Sequence, residues 1–105
     1  VAARVLVVDD DPSVCRLLQV GLARRGFEVV LATSSADALR VLETAEIDVV
    51  LTDVLMEGTD GLQLCARISA ERPDVPVIVM TASQDLGTAV GAIRAGAYDF
   101  VTKPV

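Results

Sequence analysis

The chain has 105 residues, 52% of them hydrophobic, yet only two Phe, one Tyr and no Trp, so its core must be built from Val, Leu, Ile and Ala in layered β and α packing. Nine basic against 15 acidic residues leave a net charge of -6, which counts against direct nucleic-acid binding, since that draws on a basic stripe. The absence of His excludes Ser-His-Asp and Cys-His nucleophilic catalysis, His-ligated zinc and imidazole acid-base chemistry.

In chain order, five short apolar runs alternate with helical patterns. Arg4–Val8 is β-branched and almost wholly apolar, as a strand covered on both faces should be. Val14, Leu17, Leu18 and Leu22 then share one face of a first helix, which Gly26 is placed to end. A second strand is expected over Glu28–Ala32. Ser34 or Ser35 can cap a helix carrying Ala38, Leu39 and Leu42. The third strand is expected over Asp48–Thr52, and its helix holds Leu64, Cys65 and Ile68 until Pro73 stops it. The fourth run, Val75–Met80, leads to a helix striped by Leu86, Val90 and Ile93 and closed by Gly96, and Asp99–Thr102 is the last strand.

Strands joined by single helices imply parallel pairing through right-handed crossovers, with helices on both faces. That is an α/β, doubly wound, five-stranded parallel sheet of flavodoxin-like type, for which the class sets the order 2-1-3-4-5. Residues 1–105 read as one domain, and a final covering helix would have to lie beyond the chain. No apolar run reaches the roughly 18 residues of a membrane span. Cys15 and Cys65, far apart in helical stretches, read as two buried thiols in a reducing, cytoplasmic setting rather than a disulfide or metal pair.

Ligands of an open parallel sheet bind outside the carboxyl ends of its strands. Those ends carry Asp9-Asp10-Asp11, Thr52-Asp53, Thr81 and Thr102-Lys103-Pro104. Carboxylates gathered there repel one another, and a hard divalent cation relieves the repulsion; magnesium fits, with manganese as a substitute. The competing reading is helix capping, since acidic residues before Pro12 and Ser13 stabilise a helix start. Capping accounts for one of the three acids, not for Asp53 or Lys103. Pro104 restricts Lys103 to extended geometry, which would hold its ammonium near the strand ends. Thr81 is either a strand terminator or a hydroxyl donor to an oxyanion. Together these groups form the minimum apparatus for phosphoryl transfer to a carboxylate.

The segments VLVVDDDP, LTDVLMEGTDG, VIVMTA and GAYDFVTKP, in this order from Arg4 to Pro104, resemble the signature segments of bacterial response-regulator receiver domains. From Met80 to Pro104 the likeness is strongest to NtrC-type receivers, which control AAA+ transcriptional activators. The resemblance implies that Asp53 is the phosphoacceptor. It also implies that Asp10 binds Mg²⁺ directly and Asp9 mainly through water, with Asp53 and the Leu55 backbone carbonyl as further ligands. Lys103 would contact the phosphoryl group, Thr81 would move in to hydrogen-bond it, and Phe100 would be the switch aromatic, while Asp11 serves as a cap and Tyr98 has another role. Glu57 stands where such domains commonly carry Pro, Phe100 lacks the hydroxyl of the more familiar Tyr, and Val105 replaces a usual Phe.

The resemblance further implies a cytoplasmic signalling module, not a turnover enzyme, forming the N-terminal part of a longer two-component regulator. A sensor histidine kinase or phosphotransfer protein would phosphorylate it. An output domain in cis, AAA+ and DNA-binding, would read the switch, with a homodimer as the possible assembly. Two rivals remain: a haloacid-dehalogenase-type phosphatase, suggested by the Asp-x-Asp pattern at Asp9 and Asp11, and a phosphorylation-independent docking module.

Overall fold

The computed structural model describes residues 2–53, 55, 56, 59–81 and 86–102. Its elements run β1 (Arg4–Val8), α1 (Pro12–Arg24), β2 (Glu28–Ala32), α2 (Ser35–Thr44), β3 (Val49–Asp53), β4 (Leu55–Met56), β5 (Thr59–Asp60), α3 (Gly61–Glu71), β6 (Val77–Thr81), α4 (Leu86–Arg94) and β7 (Asp99–Thr102). Five strands form one parallel sheet in the order β2-β1-β3-β6-β7. With the two-residue strands β4 and β5 set apart as their own antiparallel pair, this is the expected 2-1-3-4-5 order. The small ribbon was not expected, because two residues are too few to show alternation.

The helices divide unequally between the faces. Ala38, Leu42, Leu64, Cys65, Ile68 and Ala92, from α2, α3 and α4, pack with Leu6, Val8, Val50, Val77 and Val79 on one side. On the other side, among the described residues, α1 supplies Cys15 and Leu18 against Val5, Val7 and Met80. Both cysteines are buried and neither is in a disulfide, as expected. Burial pushes the Cys65 thiol above its ordinary pKa, which keeps it protonated and unreactive.

The expected α1 stripe needs correction at Leu17, which is 63% exposed. Leu18 is buried and Val14 and Leu22 are half-buried, whereas Leu17 borders a groove with Leu51, Ile78 and Val101 at its floor. Among the described residues no helix covers that groove. Val90 and Ile93 of α4 are likewise exposed, and the side chain of Leu86 lies outside the described residues. In both cases the apolar spacing marks the helix but overstates what the sheet covers.

Two strand boundaries differ from expectation by a residue or two. β3 runs to Asp53, so the acid is the strand's own last residue. β6 starts at Val77, because Pro76 has no N–H to donate to the ladder.

Local chemistry ends the helices as the sequence suggests. Asp11 caps α1 and Pro12 occupies its first turn. Of the two serine candidates, Ser34 caps α2, its Oγ accepting from the Asp37 N–H at 3.1 Å. Helices α1 and α4 finish alike. Gly26, at φ +91°, donates to Ala23 O at 3.0 Å and Phe27 donates to Leu22 O at 3.2 Å; Gly96, at φ +107°, donates to Ile93 O and Ala97 to Ala92 O, both at 3.0 Å. A left-handed glycine thus reverses the chain before β2 and again before β7.

The two glycines differ in their surroundings. A Cβ at Gly26 would meet nothing within 4 Å, whereas one at Gly96 would lie 2.6 Å from Ser69 Oγ. Gly26→Ala should therefore cost about 1–2 kcal/mol for the left-handed backbone alone. Gly96→Ala should cost about 1–3 kcal/mol more, for crowding the end of α3. Urea midpoints of the two variants, compared with the unmodified chain, measure both; equal costs would remove the packing argument.

Candidate metal centre at the carboxyl edge of the sheet

The strand order reverses between β1 and β3, which makes their carboxyl ends the switch point of the sheet. Val8 pairs with Thr52, so Asp9 and Asp53 leave adjacent strands at the same level. Asp53 pairs with Met80, and Thr81, one residue on, pairs with Thr102 at the end of β7. The topology thus brings Asp9, Asp53 and Thr81 to one edge although they are far apart in sequence.

Asp9 is fully buried and tightly held. Its N–H donates to Ala32 O at 3.1 Å, its Oδ1 accepts the Asp11 N–H at 2.9 Å, and its carbonyl accepts the Cys15 Sγ proton at 3.3 Å. The anchoring by Cys15 had no sequence signal beyond a cysteine one helical turn into α1, and it was read only as a buried thiol. Asp11 resolves the competition between capping and metal binding: its Oδ1 accepts the Ser13 N–H at 2.9 Å, so it is the cap. Asp10 remains exposed to solvent beside Asp9.

Asp53 is only 8% exposed, and Thr81 and Thr52 are also buried. Thr52 Oγ1 donates to Asp53 O at 3.2 Å, a bond that pins the strand end and was not anticipated. Carboxylate oxygens of Asp9, Asp10 and Asp53 all lie within 4.8 Å of one another. This donor set is oxygen only, part buried and part open to water. It fits a hard divalent cation that keeps some of its waters. Two ionised carboxylates at that spacing repel by roughly 3–4 kcal/mol at an effective dielectric of about 20, and a cation converts the repulsion into attraction.

Of the other expected site residues, Leu55 and Phe100 are among the described residues and Lys103 is not. Leu55 opens β4, two residues past Asp53. Phe100 lies on β7 opposite Val79 and is 38% exposed, and Tyr98, before the strand, is more exposed still. Lys103, Pro104, Val105 and Glu57 lie outside the described residues; β7 runs to Thr102, the residue before Lys103, at the acidic edge.

A doubly wound sheet with a carboxylate cluster at its switch point defines a class, and comparison with known proteins narrows it. The family model for the response regulator receiver domain matches residues 5–105, and the chain belongs to that family, as part of a two-component signalling module. It is 44% identical over 103 residues to the transcriptional regulatory protein GlrR of Escherichia coli K12, covering 98% of this chain and 23% of that protein. It is 38% identical over 102 residues to the DNA-binding transcriptional regulator NtrC of Rhizobium meliloti, covering 97% and 21%. The chain therefore spans less than a quarter of these curated relatives, and its likeness to NtrC-type regulators holds. Among solved structures, a Burkholderia pseudomallei response regulator with a phosphorylated aspartic acid, calcium ion and citrate superposes with a TM-score of 0.90 at 30% identity, covering 98% of this chain and 61% of that one.

The clustered charge has a direct thermodynamic consequence. With a chelator present, Asp53→Asn should raise stability by roughly 1–2 kcal/mol, because it removes one of three mutually repelling carboxylates. Thermal or urea unfolding in EDTA measures this; a less stable variant would mean that the repulsion is already relieved within the protein.

Proposed function

We propose that Asp53 accepts a phosphoryl group and that Asp9, Asp10, Asp53 and the Leu55 carbonyl bind the Mg²⁺ ion that the transfer requires, with Mn²⁺ as a substitute. The observation that carries this reading is the meeting of Asp9, Asp10 and Asp53 within 4.8 Å at the end of β3. The phosphorylated aspartic acid and calcium ion named for the Burkholderia relative support it.

The donor is a phosphohistidine on a sensor histidine kinase or phosphotransfer protein. An Asp53 oxygen attacks phosphorus, the P–N bond breaks, and its electron pair returns to the imidazole nitrogen. The ionised carboxylate needs no general base, which suits a chain without His. The bound cation supplies charge neutralisation for the phosphoryl oxygens. Lys103 offers a second cation to the same oxygens, and the domain catalyses only this transfer and the later hydrolysis.

The product carries a charge of roughly -1.5 to -2 where a singly charged carboxylate stood. Thr81 turns its hydroxyl toward it, and Phe100 swings inward as Thr81 moves. A swing from 1:99 to 99:1 between inactive and active states needs about 5.5 kcal/mol of differential interaction, within reach of a few charge-assisted hydrogen bonds. Residues 1–105 act as the receiver domain of a longer cytoplasmic regulator. Its output domain in cis, AAA+ and DNA-binding as in NtrC-type proteins, controls transcription, with a homodimer as the active assembly. The dehalogenase-type alternative loses its motif, because Asp11 is committed to capping α1.

Acetyl phosphate or phosphoramidate with Mg²⁺ should label the unmodified chain stoichiometrically, and Asp53→Asn should abolish the label. Intact-mass spectrometry reads both, and full labelling of the variant would refute the acceptor assignment. Mg²⁺ at about ten times its Kd should stabilise the unmodified chain by about 1.4 kcal/mol, and this gain should vanish in Asp10→Asn. Thermal shift titration checks it, and an equal gain in both proteins would move the metal elsewhere.

A further inference from the structure

The thiol of Cys15 is a buried polar group that the phosphoryl chemistry above leaves unused, and it meets the acidic segment directly. Its Sγ donates to the carbonyl of Asp9 at 3.3 Å, while its own N–H donates to the carbonyl of Asp11 at 3.2 Å. One residue therefore holds the carbonyls of both neighbours of Asp10. The bond to Asp11 is the ordinary backbone bond of a helix start, which any residue except proline would make. The bond to Asp9 needs a side-chain donor at this position.

The surroundings separate that donor from mere filling of space. Val5, Val7, Leu18 and Met80 share the apolar cluster of Cys15, so an apolar side chain would satisfy the packing equally well. It would not supply a proton to the Asp9 carbonyl. Asp9 is fully buried, where a hydrogen bond is stronger than in water. The Asp9 carbonyl belongs to the peptide that joins Asp9 to Asp10, the two acids that share a space within 4.8 Å with Asp53. Ligands held in place before an ion arrives bind it more tightly, because less ordering remains to be done.

We propose that Cys15 is a positioning residue for the divalent cation: its thiol proton fixes the peptide between Asp9 and Asp10 and so sets the approach of both carboxylates to the ion. This rests on the reading of the Asp9, Asp10 and Asp53 cluster as a cation site. The sulfur is not a ligand and acts through the backbone. It serves as a neutral donor, so no thiolate or oxidation step is involved.

The test is a Mg²⁺ titration of the unmodified chain, Cys15→Ala and Cys15→Ser, followed by backbone NMR. Loss of one weak hydrogen bond in Cys15→Ala should weaken the Kd about three- to tenfold; a Kd within about twofold of the unmodified value overturns the proposal. Cys15→Ser restores a donor and should recover most of the lost affinity, although a hydroxyl suits the apolar cluster less well. Urea midpoints follow that packing cost separately. A serine variant that binds as weakly as the alanine variant overturns the proposal, since it would make the role one of packing.

The infrared S–H bands of Cys15 and Cys65 in the unmodified chain give a second readout that needs no variant. By linkage, a bond that favours the ion is itself favoured by the ion. Saturating Mg²⁺ should therefore move one of these bands to lower frequency, and two unmoved bands overturn the coupling. Mg²⁺ binding that is indifferent to Cys15 sinks this inference alone, whereas no Mg²⁺ binding by the unmodified chain sinks the cation reading with it.

Discussion

Mutual repulsion between carboxylates at the end of β1 and β3 is the constraint around which this molecule is organised. Asp9 has no exposure and Asp53 almost none, and their oxygens share a space less than 5 Å across with those of Asp10. No packing energy is gained by placing acids there. The rest of the domain must hold them in position and supply the stability that they subtract. The two apolar clusters, one on each face of the sheet, do the second task with Val, Leu and Ile and almost no aromatic residue.

The first task falls to backbone and small polar groups. Ala32 O, the Asp11 N–H and the Cys15 thiol grip Asp9 from three directions, while Thr52 Oγ1 ties down the carbonyl of Asp53. A rigid acid pair that repels itself is poised to bind a cation, since little reorganisation is needed when the ion arrives. At the opposite edge the fastening is of another kind. Arg4 donates its N–H to Asp48 at 2.7 Å and its side chain pairs with Glu28 at 3.1 Å, uniting the starts of β1, β2 and β3 through exposed contacts of small individual worth.

Uneven coverage of the sheet bears on how such a module communicates. Among the described residues three helices lie over one face and α1 over the other, where Leu17, Leu51, Ile78 and Val101 border a groove. Exposed Val90, Ile93 and Phe100 continue the apolar character around the α4 and β7 side. Thr81, which ends β6, lies between the acidic edge and these elements in the sheet order.

Much of this was legible in the residues themselves. Runs of β-branched residues, glycines at helix ends and Asp or Ser at helix starts act locally, through φ/ψ preference and capping bonds between near neighbours, so the strands, the helices and their order could be read from the chain. The identity of the acids at the strand ends was equally plain. The capping bond from the Ser13 N–H to Asp11 is just as local, and the sequence already marks that acid as the cap. Tertiary structure alone decided that Asp9 is a buried acid anchored through β2, where Ala32 O accepts its N–H. It also decided that Leu17, Val90 and Ile93 stay exposed, and that a two-residue ribbon forms after Asp53. Burial and pairing depend on what lies across space, which a linear pattern does not carry.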